Sequence, residues 1–442
     1  MPHFLAKAAL LPQGWADQVL ITTDESGWIT DVQPGQPAEL AQILDGPVVP
    51  GMPNLHSHAF QYAMAGLAEH GDDPQNSFWS WRKVMYDFLD TLGSAELEKI
   101  AVELYTAMLK AGYTQVAEFH YLHHRPDGTP YEDQAHLSHC MIRAAKAAGI
   151  GITLLPVLYA HGGFGGQAPE SGQRRFINTP DQILDIIASL YSDYEGDPLV
   201  RIGLAFHSLR ATTPEMIKEV TQDVRKIDPQ MPIHIHVAEQ EKEVADCLAW
   251  CGKRPVEWLL ENSAVDTHWC LVHATHMTET ETRDLALSGA VAGLCPTTEA
   301  NLGDGLFNLE LYIEHGGRFG IGSDSHISVN MIEELRWLEY GQRLAQRRRI
   351  IARTETDPHA GTFLYKAAVE GGAKALGTKT GQIAPGHRAD FIVLDAAALK
   401  NRQKDLILDT AIFATNRTPV RDVFVGGVGV VKNFQTVRHE NA

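Results

Sequence analysis

Two histidines one residue apart, His56 and His58, close the apolar run VVPGMPNLHSH. Three further groups able to bind a metal or move protons follow it: HIHVAE, LVHA and GIGSDSH. Each ends a strand-like run. A lone HxH pair arises by chance in many chains, whereas four such groups at four strand ends predict convergence on one point. Alternate strand residues face the same way, so His56 and His58 can address a single ion. His236 of HIHVAE is the expected third ligand and Asp324 the fourth, while Glu239, just beyond the strand, is a carboxylate beside the open coordination position. Three neutral imidazoles and one carboxylate suit one Zn2+ per chain, with Fe2+ as the alternative. Such an ion lowers the pKa of water from about 15.7 to about 7. His273 of LVHA and Asp324 are then placed to hydrogen-bond that water, and Glu239 to carry its proton to a leaving nitrogen. The expected chemistry is hydrolytic deamination.

Other polar groups are expected to be structural. His234 reads as a satisfied core histidine, and His136 with His139, at helical spacing, as a surface face. Cys247 and Cys251 lie one helical turn apart. GGVGVV near residue 426 lacks the third glycine of a dinucleotide loop and opens no helix, so it reads as a hairpin turn. His120, His123 and His124 end a strand, where packing or a subunit contact is as good an account as lining the mouth of the barrel.

The elements that must carry these residues can be read from periodicity. Residues 1–48 hold short strands and a hairpin, DQVLITTDESGWITDVQPGQ. From about 49 to 325 come eight strand candidates: VVPGMPNL, TQVAEFHY, GITLLPVL, VRIGLAFH, PIHIHVAE, HWCLVHAT, GAVAGLCP and RFGIGSD. Helical patterns such as SAELEKIAVELYTAMLKAG and TPEMIKEVTQDVRKI alternate with them. The expectation is an α/β fold: a TIM-like (β/α)8 barrel over 49–380, with a small β-sandwich domain built from both termini, 1–48 and 381–442. Two long segments, 59–93 and 161–176, follow strand ends, where barrels keep substrate-covering loops.

Composition narrows the partners. With 37 Lys+Arg against 55 Asp+Glu the net charge is −18, and there is no basic run, so nucleic acid lacks its electrostatic driving term. Five irregularly spaced cysteines fit a reducing, cytoplasmic setting better than a disulfide framework. No stretch of about 18 consecutive apolar residues predicts a membrane span.

The motifs PGMPNLHSH, HxHxxE, a later histidine and a late SDS-type Asp resemble the amidohydrolase superfamily, in its mononuclear deaminase branch. The resemblance spans nearly the whole chain, including GQIAPGHRADFIVLD. Binuclear members carry a bridging Lys or carboxylate at strand 3 or 4; GITLLPVLYA and VRIGLAFHSL have none, which implies one metal. More narrowly, HSHAFQYAMAGLAE, SFWSWRKVMY, VAEFHYLHH and AFHSLRA resemble the formimidoylglutamate deiminase family of bacterial histidine breakdown. Tyr62 departs from the Arg that this family favours there.

The resemblance implies zinc-dependent conversion of N-formimino-L-glutamate to N-formyl-L-glutamate and ammonia, by a homodimer. That substrate is a dicarboxylate carrying a formamidine, so its site needs two cationic clamps, best supplied by Arg. Arg82, in the first loop after a strand, and Arg210, just after strand 4, fall at the expected rim. By resemblance Gln61, Tyr121 and His207 join them as substrate-binding residues. Two alternatives stay open: the same chemistry on a cyclic amidine such as guanine, and a non-catalytic scaffold.

Overall fold

The apolar runs form parallel strands because both of their faces are covered. In the computed structural model, which describes residues 2–37, 41–67, 69, 78–400 and 402–437, eight of them make a barrel. They are Met52–Ser57, Tyr113–His120, Gly151–Leu158, Leu204–Ser208, Ile233–Val237, Trp269–His273, Val291–Leu294 and Arg318–Ile321, each paired with its sequence neighbour. Strand 8 meets strand 1 through a parallel bridge between Ser57 and Asp324. There Asp324 N–H donates to His56 O at 3.0 Å and His58 N–H to Asp324 O at 3.3 Å. The closing seam therefore runs through the candidate metal ligands themselves.

Two expected strands are interrupted. VVPGMPNL divides at Gly51: Gln42–Pro50 belongs to the terminal sheet and Met52–Ser57 to the barrel. VRIGLAFH divides at Gly203 into Val200–Ile202 and Leu204–Ser208, and both parts pair with strand 3. A Cβ at Gly203 would lie 2.6 Å from the Leu155 side chain and 2.9 Å from the Pro232 carbonyl, so this crossing point requires glycine.

Helices follow the strands with the predicted stop and start signals. Pro214–Ile227 begins at Thr213, whose side chain accepts from Met216 N–H, and Glu279–Ser288 begins at Thr278 in a capping box and ends at Gly289, φ 79°. These helices bury the outer face of the barrel.

The two chain ends share one mixed sheet of eight strands, in which Phe391–Leu394 lies antiparallel to Gln42–Pro50. In hydrogen-bond terms the expected sandwich unit is this single continuous sheet, with its own core around Phe4, Phe391 and Phe424. GGVGVV is the predicted hairpin: Val420–Val425 pairs with Val428–Lys432 around Gly426 and Gly427. The sheet is tied to the barrel by buried Arg388. Its guanidinium pairs with Asp390 at 2.6 Å and donates to Pro198 O at 2.9 Å and to Gln115 Oε1 at 3.2 Å. Among the described residues no helix is long and apolar enough to cross a membrane. Of the long segment 59–93, residues 68 and 70–77 lie outside the described residues.

Candidate metal centre and substrate cavity

Strand periodicity brings the first histidines together: His56 Nε2 and His58 Nε2 are 3.1 Å apart. His236, at the end of strand 5, puts its Nε2 2.9 Å from that of His56. Asp324 Oδ1 lies 3.4 Å from His56 Nε2 and 3.3 Å from His58 Nε2. Donor atoms at tetrahedral corners about 2.0–2.1 Å from zinc are about 3.3 Å apart, a spacing close to that which His58, His236 and Asp324 each keep from His56 Nε2. Tautomers support the fit. His58 Nδ1 donates to Phe119 O at 3.0 Å and His236 Nδ1 to His207 O at 3.0 Å. A carbonyl only accepts, so those Nδ1 atoms carry the protons and leave both Nε2 lone pairs free, that of His58 beside Asp324 and that of His236 beside His56. Burial drives His56 down to about 3 and His236 well below the ordinary histidine value, so both imidazoles are neutral, as ligands must be. Among the described residues, the groups close enough to share one cation are His56 and His58 with Asp324, His56 with His236 and His273, and His273 with Cys295 and Asp324. His234 stays outside: its Nε2 donates to Ala375 O at 2.8 Å.

Three turns aim the remaining groups. Ala238, His273 and Asp324 have φ of 53°, 69° and 46°, left-handed values that non-glycine residues rarely adopt and that cluster where a site imposes them. Past Ala238, Glu239 reaches His273, with Oε1 3.7 Å from Nε2, and Asp324 Oδ2 lies 3.8 Å from the same nitrogen. Asp324 itself stands three residues beyond the end of strand 8, on a turn that the run RFGIGSD does not disclose.

The electrostatics separate these groups. Burial opposes charge on Asp324, yet the His56 and His58 imidazoles hold its carboxyl well below the usual range. Burial pushes Glu239 up, with Asp324 adding to the rise and His273 opposing it. Burial alone would lower His273, but Glu239, Glu299 and Asp324 outweigh it and push it up to about 10.

The predicted substrate residues line the same cavity as His58, His236, Glu239, His273 and Asp324. Gln61 sits on the one-turn helix Ala59–Met64 and donates from Nε2 to Tyr121 OH at 2.9 Å. Tyr121 follows strand 2 and packs edge-on against His58, ring centroids 5.1 Å apart. His207, in strand 4, bridges His236 and Tyr159, with centroids 5.3 Å and 4.3 Å away. Arg82 lies on the helix Phe78–Leu89 and faces Glu170 of the 161–176 segment at 3.7 Å. Arg210 faces Glu243 at 4.0 Å. The 161–176 segment is packed down: Gln173 Nε2 donates to Tyr159 OH at 2.6 Å, and Arg175 to His124 O and Leu89 O at 3.1 Å and 2.6 Å.

The sequence reasoning missed several supporting residues. Buried Glu299 accepts from Cys295 N–H at 2.9 Å and stands 3.4 Å behind His273 Nδ1. Buried Glu118, pushed up to about 7 mainly by burial, accepts from Ser57 Oγ, Ala59 N–H and Tyr105 OH at 2.7, 2.6 and 3.1 Å, pinning the HSH turn. Tyr159, Trp81, Thr298 and Ser325 also line the cavity. His123 and His124 are packing groups, within 3.1 Å of Val157 O and 2.6 Å of Ile177 O. Tyr62, the departure noted in the sequence, meets His326 edge-on at 6.3 Å.

Comparison with known proteins gives a match to the amidohydrolase family over residues 48–430. Over 444 residues the chain is 52% identical to a formimidoylglutamate deiminase of Pseudomonas aeruginosa, covering 100% of this chain and 97% of that one. Among solved structures, an amidohydrolase from Brucella melitensis is similar with a TM-score of 0.93 and 47% identity, over 99% of this chain and 96% of that one. An adenosine deaminase from Xanthomonas campestris with bound zinc has a TM-score of 0.81 at 20% identity, over 99% and 94% of the two chains, a likeness of fold.

Proposed function

The chain belongs to the amidohydrolase family, and from that premise we propose that it is a metal-dependent deiminase of N-formimino-L-glutamate, releasing N-formyl-L-glutamate and ammonia. The observation that carries the reading is one cavity in which Arg82 and Arg210 accompany a His/Asp cluster fitted to a divalent ion, in a chain 52% identical along its length to a formimidoylglutamate deiminase. Two arginines suit two carboxylates. A purine has none to offer them.

His56, His58, His236 and Asp324 are the proposed ligands of one zinc ion, with iron(II) as the alternative. Bound there, such an ion would lower the pKa of water enough to make a nucleophile available near neutral pH. Asp324, held ionised, would accept a hydrogen bond from the attacking water and His273, held protonated, would donate one to it, together orienting it toward the formimino carbon. Glu239, pushed toward its protonated form, donates to the nitrogen that departs as ammonia. Surroundings that push two neighbouring carboxyls apart in this way support these acid and base roles. Arg82 and Arg210 hold the two carboxylates while Gln61, Tyr121 and His207 contact the remainder of the substrate. Positioning of this kind lowers a barrier by removing motion the reaction would otherwise have to freeze out. The proposed setting is histidine degradation and the proposed assembly a homodimer.

The test is ammonia release by zinc-loaded protein from N-formimino-L-glutamate, with guanine run beside it. Release from the dicarboxylate and none from guanine is expected; the reverse would replace this substrate with a purine-like amidine.

A further inference from the structure

Arg210 is almost buried, and the carboxylate facing it, Glu243, is 1% exposed. Glu243 stands in the first turn of the helix Glu241–Cys251. Its two oxygens face different neighbours, of which Arg210 lines the cavity. Oε2 lies 4.0 Å from Arg210 Nη2, and Oε1 accepts the backbone N–H of Ala238 at 3.0 Å. Ala238 is the left-handed residue, φ 53°, that turns the chain so that Glu239 reaches His273. A single buried carboxylate thus adjoins both the cation expected to hold substrate and the turn that aims the expected acid.

We propose that Glu243 is a positioning residue that sets Arg210 over the cavity and, through Ala238, fixes Glu239, so that carboxylate recognition and proton delivery share one support. The inference rests on the deiminase reading above. The contrast with Arg82 sharpens it. The counter-ion of Arg82, Glu170, is 71% exposed on a long surface segment, so water can replace it and it constrains little. Glu243 has no such freedom, because a buried carboxyl that loses its partner or its hydrogen bond becomes costly. Arginine has long, rotamer-rich geometry, and a fixed partner removes that freedom before substrate arrives.

The two oxygens can be tested separately. Glu243→Gln keeps an acceptor for Ala238 N–H but loses the charge facing Arg210; Glu243→Ala loses both. With residues in contact coupling strongly, Glu243→Gln is expected to raise KM for N-formimino-L-glutamate about tenfold with a smaller change in kcat, and Glu243→Ala to lower kcat as well. In an Arg210→Met background Glu243→Gln should then cost nothing further. Equal cost in both backgrounds would make Glu243 a general structural residue and overturn the proposal, as would a fall in KM, which would make it a mere competitor of the substrate carboxylate. Metal content and Tm on each variant separate misfolding from mispositioning. Glutarate binding by calorimetry gives the same cycle without turnover. A wild type that hydrolyses the substrate but shows an additive cycle removes this inference alone; a wild type that neither turns over nor binds glutarate removes the deiminase reading and this inference together.

Discussion

Asp324 and Glu239 are both buried beside His273, yet their surroundings push their protonation in opposite directions: two imidazoles keep Asp324 ionised, and burial favours the proton on Glu239. Burial that favours the proton on Glu239 suits it to deliver one to the leaving nitrogen, so Glu239→Gln should lower kcat by about 10²–10⁴-fold with metal content unchanged. Steady-state kinetics with metal analysis on one sample decides this; loss of metal would make Glu239 a ligand instead. The residues of this inner group were legible because metal and acid-base chemistry uses few residue types and strand alternation fixes their spacing. Glu118, Glu243 and Glu299 were not. A single glutamate in EFHY, EQEKEV or CPTTEANL has the same appearance as one on a solvated face, and only the fold shows that each is buried with a partner.

The eight strand runs could be read from their apolar content, because a strand covered on both sides leaves an uninterrupted signal. Their breaks at Gly51 and Gly203 could not, since glycine inside an apolar run leaves the hydrophobic signal intact. Nor could the left-handed turns at Ala238, His273 and Asp324, residue types for which such a conformation is unusual. Close approach at the seam gives an element-level prediction. A Cβ at Gly322 would lie 2.7 Å from His56 Cβ and 2.9 Å from both its backbone N and O. With backbone on two sides there is no flexible side chain to yield, so Gly322→Ala should push strand 8 away from His56. A lower Tm and reduced metal content are expected, by calorimetry and metal analysis. Full metal content at an unchanged Tm would show that the seam tolerates expansion.

At the scale of the whole molecule, the terminal sheet and the helices outside the barrel hold the closed ring in place. One such contact is pH-dependent: His359 Nδ1 lies 2.6 Å from Asp409 Oδ2, joining the start of the helix Ala360–Leu376 to the short helix Ile407–Phe413. The hydrogen bond to Asp409 raises the His359 pKa above its ordinary value. Its stabilisation is therefore fully present below the unfolded-state value of about 6.5 and lost as pH climbs through the raised folded value. Because the pair is partly exposed, its worth is about 1 kcal/mol or less. Melting curves should show His359→Gln less stable than the parent near pH 5.5, with the gap closing as pH rises above the ordinary histidine value; a gap that widens with pH would contradict the assignment. The same frame brings Arg82 and Arg210 from distant parts of the chain to one cavity beside the His/Asp cluster, which makes dicarboxylate recognition the central claim. The most direct test compares kcat/KM for N-formimino-L-glutamate with that for N-formimino-4-aminobutyrate, which lacks only the α-carboxylate, using one zinc-loaded sample of known metal content. Charged hydrogen bonds of about 1.5–3 kcal/mol predict a loss of roughly 10–150-fold on deleting that group. Equal turnover of the two would contradict the account.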